Sequence, residues 1–94
     1  MPKSNLLLWE IFVPVTHNRG HEFAVKHHRE WDALVREIAG GLTVYHSARG
    51  QWESLENELC IERVIPVRIA CTRAQITTIS DITAAHYEQD AVMY

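Results

Sequence analysis

The chain has 94 residues, enough for one domain and no more, so residues 1–94 are expected to fold as a single unit. Nine Lys and Arg against twelve Asp and Glu give a net charge of −3, without the basic stripe that phosphate neutralisation needs, so nucleic acid is not an expected partner. A hydrophobic fraction of 47% with 22% charged residues excludes a disordered chain.

Leu6–Val15 is apolar on both alternating faces, the pattern of a strand whose sheet is covered on both sides. Its Leu6–Leu8 run is too short for a membrane span or a signal-peptide core, and Glu10 interrupts it, so no membrane association is expected. Thr16–Gly20 reads as a loop. From Ala24 to Ala39 the spacing turns helical, with Trp31, Leu34, Val35 and Ile38 on one stripe and Gly40-Gly41 as the left-handed stop. Leu42–His46 reads as a second strand, Ser47–Glu58 as a long hairpin loop, and Cys60–Cys71 as a third strand.

Thr72-Arg73-Ala74-Gln75 matches a capping box and opens a second helix, which points Ile76, Ile79, Thr83 and Tyr87 at the core. Asp90–Tyr94 closes the chain as a short strand. The order βαββαβ predicts an α+β, ferredoxin-like sandwich with both helices on one face of an antiparallel sheet. On the third strand, Ile61, Ile65, Val67, Ile69 and Cys71 face the helices, and Glu62, Val64, Pro66, Arg68 and Ala70 face away. Two helices cover only one sheet face, so the other predicts a homo-oligomer.

Glu10 and Glu62 each interrupt an apolar sheet face, where a carboxylate needs a cation or hydrogen-bond donors. Arg68 lies on the same face as Glu62 and is its expected partner. That pair reads equally as a structural ion pair at a subunit contact and as part of a cleft for a cationic ligand. Tyr45, Trp52 and Tyr94 are candidate stacking surfaces for a nucleobase, Trp52 being the hardest to explain as core. The histidines lack zincin-type spacing and no metal or other cofactor is expected. No Gly-x-Ser-x-Gly elbow is present, and Glu58 and Glu62 beside Cys60 disfavour its thiolate. Two cysteines, Cys60 and Cys71, are fewer than a small secreted scaffold carries, which predicts reduced thiols and a cytoplasmic location.

The tail Tyr87-Glu88-Gln89-Asp90-Ala91-Val92 resembles the aromatic-Glu-Gln-Asp-x-Val junction of the phage S-adenosylmethionine (SAM) lyases, and Glu62, Val67-Arg68 and Ala74-Gln75 lie at a similar spacing upstream. The resemblance covers the last third in detail and the rest as element order. It implies a GlnB-like (PII-like) homotrimer with sites between subunits. The implied reaction splits SAM into 5'-methylthioadenosine and L-homoserine lactone by attack of the substrate's own carboxylate, a phage counter-defence against restriction-modification carried out in the host cytoplasm. Glu62 matches the family's strand carboxylate, and Gln89 belongs to the junction motif. Tyr45, Trp52, Arg68 and Tyr94 complete the expected substrate-binding set. The alternative is a PII-like trimer that binds a nucleotide-type ligand without consuming it, although Glu53, Glu56, Glu58 and Glu62 favour a cation.

Overall fold

The structure, a computed structural model, describes residues 6–94. In chain order its elements are β1 (Leu7–Pro14), α1 (Val25–Ala39), β2 (Thr43–Val44), β3 (Ala48–Glu53), β4 (Leu59–Cys71) and α2 (Arg73–His86). Every strand pairing is antiparallel. The long strand β4 carries β1 on one edge and β2 followed by β3 on the other. The result is an α+β fold with a four-stranded antiparallel sheet and two helices.

The segment expected to be a loop from Ser47 onward is mostly strand: Ala48–Glu53 pairs with β4 from Ala48↔Val64 to Glu53↔Leu59. Periodicity misses it because Ala-Arg-Gly-Gln-Trp-Glu alternates only weakly, with Trp52 as its one large apolar residue and a glycine at its centre, and the ladder to β4 supplies the order instead. Only Ser54–Glu58 turns, closed by Ser54 N–H to the Glu58 carbonyl at 2.8 Å and by Asn57 in the left-handed region.

Between Val44↔Val67 and Ala48↔Val64, the residues Tyr45–Ser47 oppose only Ile65 and Pro66, which is a β-bulge. The bulge explains how a proline sits inside the central strand. The Pro66 carbonyl accepts from the Tyr45 N–H at 2.9 Å, so its hydrogen-less nitrogen faces the same side, where the ladder is already broken.

One face of the sheet meets the helices. Ile11, Val13, Val67, Ile69 and Cys71 pack with Trp31, Val35, Ile76, Ile79 and Tyr87 into one buried cluster. Trp31 donates its indole N–H to Thr83 Oγ1 at 2.8 Å, and the Thr83 hydroxyl donates to the Ile79 carbonyl. The expected capping box forms, with Thr72 Oγ1 accepting from Gln75 N–H and Gln75 Oε1 accepting from Thr72 N–H. Gln75 also donates to the Ile38 carbonyl, so a single side chain starts α2 and ties it to α1. Gly40 ends α1 at φ 87°.

Three expectations change. Leu34 is 37% exposed although it shares the helical stripe, because α1 buries a narrow seam centred on Trp31 and Val35. Ile61 faces the helical side yet is 59% exposed, because the β3–β4 hairpin runs on past the helices as an arm. Asp90–Tyr94 forms no regular strand. It lies along β1 through one backbone bond, Phe12 N–H to the Met93 carbonyl at 3.1 Å. Among the described residues no helix is long and apolar enough to cross a membrane.

Candidate functional site

The sheet face turned away from the helices carries the site. Antiparallel register puts paired residues on the same face, so Gly50 with Glu62, Ala48 and Pro14 with Val64, and Trp52 with Cys60 all point outward together. Phe12 joins them from β1, and the tail after α2 folds along the edge as a wall of Gln89 and Ala91–Tyr94. These surfaces enclose a groove of about 690 Å³, in the size range of small-molecule sites.

Glu62, Trp52, Gln89 and Tyr94, four of the six residues expected from sequence, line this groove. Trp52 lies back over its own strand. A Cβ at Gly50 would come within 3.1 Å of the Trp52 ring, so the missing side chain at position 50 makes room for the indole beside Glu62. Tyr94 stands edge-on to Trp9, ring centroids 6.0 Å apart. Among the described residues the Glu62 carboxylate has neither an ion pair nor a hydrogen bond, and its surroundings include Phe12, Pro14, Val64, Val92 and Met93. A charge so placed is available to a cationic group from outside the fold.

Arg68 is not its partner. Glu10 and Arg68 are opposite each other in the β1–β4 register, and Arg68 Nε donates to Glu10 Oε2 at 3.2 Å. Glu62 lies three alternations farther along β4, out of that pairing. Arg68 also stacks over the Tyr45 ring, 5.1 Å from its centroid. Tyr45 and Arg68 therefore line a second, smaller recess at the opposite end of the face, with Leu6, Leu8 and Leu42. The expected single constellation of six residues is two groups.

The remaining ionisable groups cluster elsewhere. His27 and His86 stack at 3.9 Å, and each ring Nε2 meets the other residue's backbone carbonyl, at 2.6 and 2.7 Å. Because a carbonyl only accepts, both rings carry their proton on Nε2. His28 Nδ1 lies 2.6 Å from the Tyr87 hydroxyl, and burial holds this imidazole below its ordinary value. Burial likewise pushes the Tyr87 hydroxyl and the Cys71 thiol up. A buried thiol with a raised pKa is a poor nucleophile. Both cysteines are free, and no group of three or more His, Cys, Asp or Glu among the described residues is disposed to hold a metal ion.

Sequence reasoning missed three contributors: Gly50, the Ala91–Met93 wall, and the contacts that fix the tail. A lone Gly in a polar strand and the chain reversal at Glu88, whose φ is 53°, carry no periodic signal. Only the pairing partner and the backbone path reveal them.

No protein-family model matches the chain, and no curated protein matches it. Solved structures do, two of which are informative. A phage SAM lyase in complex with S-methyl-5'-thioadenosine superposes with a TM-score of 0.68 at 13% identity, over 94% of this chain and 77% of that one. The divalent cation tolerance protein Cut A1 from Thermus thermophilus superposes with a TM-score of 0.64, also at 13% identity, over 94% of this chain and 79% of that one. What the chain shares with both proteins is their ferredoxin-like fold of the PII and CutA type.

Proposed function

We propose that the chain is a SAM lyase, and that the groove beside Glu62 holds the substrate. One observation carries this reading: an unpartnered carboxylate in an otherwise largely apolar groove, next to an exposed indole and a glutamine. SAM offers a match in kind, with an ammonium and a sulfonium for the carboxylate and an adenine for the aromatic surface. The likeness of fold to a phage SAM lyase supports the reading.

In the proposed reaction, an oxygen of the substrate's carboxylate attacks its own Cγ. The new C–O bond closes the lactone as the C–S bond breaks. The bond pair leaves on sulfur, so the sulfonium departs as the neutral thioether 5'-methylthioadenosine, and no proton, water or cofactor enters. The protein's work is to fold the methionine arm so that oxygen and Cγ meet in line, and intramolecular positioning of this kind lowers barriers by several kcal/mol. Glu62 would anchor the ammonium, Gln89 orient the amino-acid end, and Trp52 and Tyr94 flank the nucleoside. Tyr45 and Arg68 belong to the second recess, where they would serve the contact with a neighbouring subunit of a homotrimer.

Proton NMR of the protein incubated with SAM tests this directly. Methylthioadenosine with homoserine lactone is expected, and Glu62→Gln should lower the rate at least tenfold, about the value of a charge-assisted hydrogen bond. Homoserine as the first-formed product would instead indicate hydrolysis and refute the lactone mechanism. A second reading is favoured by Arg49, which also lines the groove and would suit a phosphate. This is a PII-like protein that binds a nucleotide-type ligand without turnover. Saturable binding of ATP or ADP, with SAM left intact, would decide for it.

A further inference from the structure

The tail that walls the groove begins with a reversal at Glu88, whose φ is 53°. A glutamate in the left-handed region is uncommon and persists where its surroundings over-determine it. The end of α2 supplies part of those surroundings, through Glu88 N–H to the Ala85 carbonyl at 3.3 Å and Gln89 N–H to the Ala84 carbonyl at 2.8 Å, and one loop supplies the rest. His17 Nε2 lies 2.7 Å from the Glu88 carboxylate, and Asn18 Nδ2 donates to the Glu88 carbonyl at 3.1 Å. His17 is held in turn: it is buried, it stacks on His21 with centroids 4.6 Å apart, and its Nδ1 accepts the Arg19 N–H at 3.0 Å. That last bond places the imidazole proton on Nε2, aimed at Glu88.

The same loop sets the next residue. Gln89 Nε2 donates to Asn18 Oδ1 at 3.2 Å and to the Tyr87 carbonyl at 3.1 Å. Both amide hydrogens are thereby spent on the protein, and Oε1 has no partner among the described residues. Gln89 thus offers the groove an acceptor and no donor.

We infer that His17 and Asn18 are positioning residues: they clamp Glu88 in its left-handed turn, seat the tail against β1, and turn Gln89 so that its oxygen faces a hydrogen-bond donor on the ligand. The orientation of Gln89 rests on the groove being the binding site, whereas the clamp itself does not. An acceptor oxygen in the same groove as Glu62 selects a ligand bearing an ammonium over one bearing a second anion at that end.

Amide hydrogen exchange by NMR reads the clamp without any ligand, because Phe12 N–H is bonded to the Met93 carbonyl and reports the seat of the tail. In His17→Phe, which keeps a stacking ring, and in Asn18→Ala, the Phe12 amide should exchange about tenfold faster, as for the loss of one or two hydrogen bonds. The Ile11 and Val13 amides, within the β1–β4 ladder, should not change. Adding Glu88→Gly to His17→Phe should restore the protection, since glycine takes positive φ unaided. Unchanged Phe12 exchange in both variants overturns the clamp, as does equal acceleration of all β1 amides, which would mean general destabilisation.

Calorimetric titration then reads the orientation. Asn18→Ala should weaken S-adenosylhomocysteine, which keeps the ammonium but as a neutral thioether cannot be cleaved by this route, several-fold while leaving 5'-methylthioadenosine, which has no ammonium, unaffected. Equal effects on both would overturn the acceptor role of Gln89. A wild-type protein that binds neither compound would refute the SAM reading and the ammonium preference, but not a clamp already supported by Phe12 exchange.

Discussion

Trp31 is the largest buried side chain and its indole N–H has one acceptor, Thr83 Oγ1 at 2.8 Å. Thr83→Val keeps the shape and removes that acceptor, so a buried donor is left unpaired. The expected cost is about 1–3 kcal/mol in urea unfolding, and a loss well below that range would mean that the indole finds another partner. Pairing Thr83→Val with Trp31→Phe should cost less than the sum of the two, because the second change removes the orphaned donor. On the opposite sheet face the sensitive residue is Gly50. Gly50→Ala sets a methyl 3.1 Å from the Trp52 ring, which half-exposed Trp52 can relieve only by swinging off the strand. Stability should change by less than about 1 kcal/mol, while ligand affinity falls and the tryptophan emission shifts, so fluorescence titration separates the two effects.

Between elements, α1 and the end of α2 meet through histidines and Tyr87. His28 is depressed chiefly by burial, then by the charge of His27, with Asp32 acting in the opposite sense and His86 adding to the depression. As pH falls below about 6.5 the unfolded chain takes up the His28 proton before the folded one does, so stability is lost on acidification. His28→Gln should flatten the pH dependence of the melting temperature between about pH 5 and 7, and an unaltered slope would remove His28 from the account. Glu88 acts in the same sense lower down: its hydrogen bond to His17 holds its carboxyl below the ordinary value, and that contribution disappears as pH falls through the carboxylate range. How much of this was legible in the sequence depends on how local each cause is. The capping box and the buried set Ile76, Ile79, Thr83 and Tyr87 follow from spacing within one helix, and the structure shows both. The strand Ala48–Glu53, the Glu10–Arg68 pair and the unpaired Glu62 depend on a register across the sheet with a bulge in it, which shifts one edge by a residue. Within the candidate site the sequence pointed to Glu62, Trp52, Gln89 and Tyr94, which line one groove, but not to Gly50, the Ala91–Met93 wall or the pairing of Arg68 with Glu10 in place of Glu62.

At the scale of the molecule, the β3–β4 arm extends past the helices and gives the chain extents of 48 × 30 × 22 Å. Leu59 and Ile61 on this arm are exposed, as are Leu8 and Val44 on the sheet. Apolar surface on an element that no helix covers calls for a partner, and the open face beside the groove supplies a place for a second copy of the chain. We therefore expect that, in the homotrimer proposed above, the arm of one subunit lies against the open face of the next, closing the groove. Full burial of a Leu or Ile side chain is worth roughly 1.5–3 kcal/mol, so the two arm residues alone give each contact a substantial share of its stability. Neither contributes to the core of its own chain. Leu59→Glu with Ile61→Lys should accordingly convert the trimer to monomer in light scattering, while far-ultraviolet circular dichroism stays unchanged. The melting temperature of the wild type should rise with concentration and that of the double variant should not. Ligand binding should fall together with assembly, because the groove would lose its outer wall. A monomeric wild type, or a double variant that still assembles, would refute this arrangement.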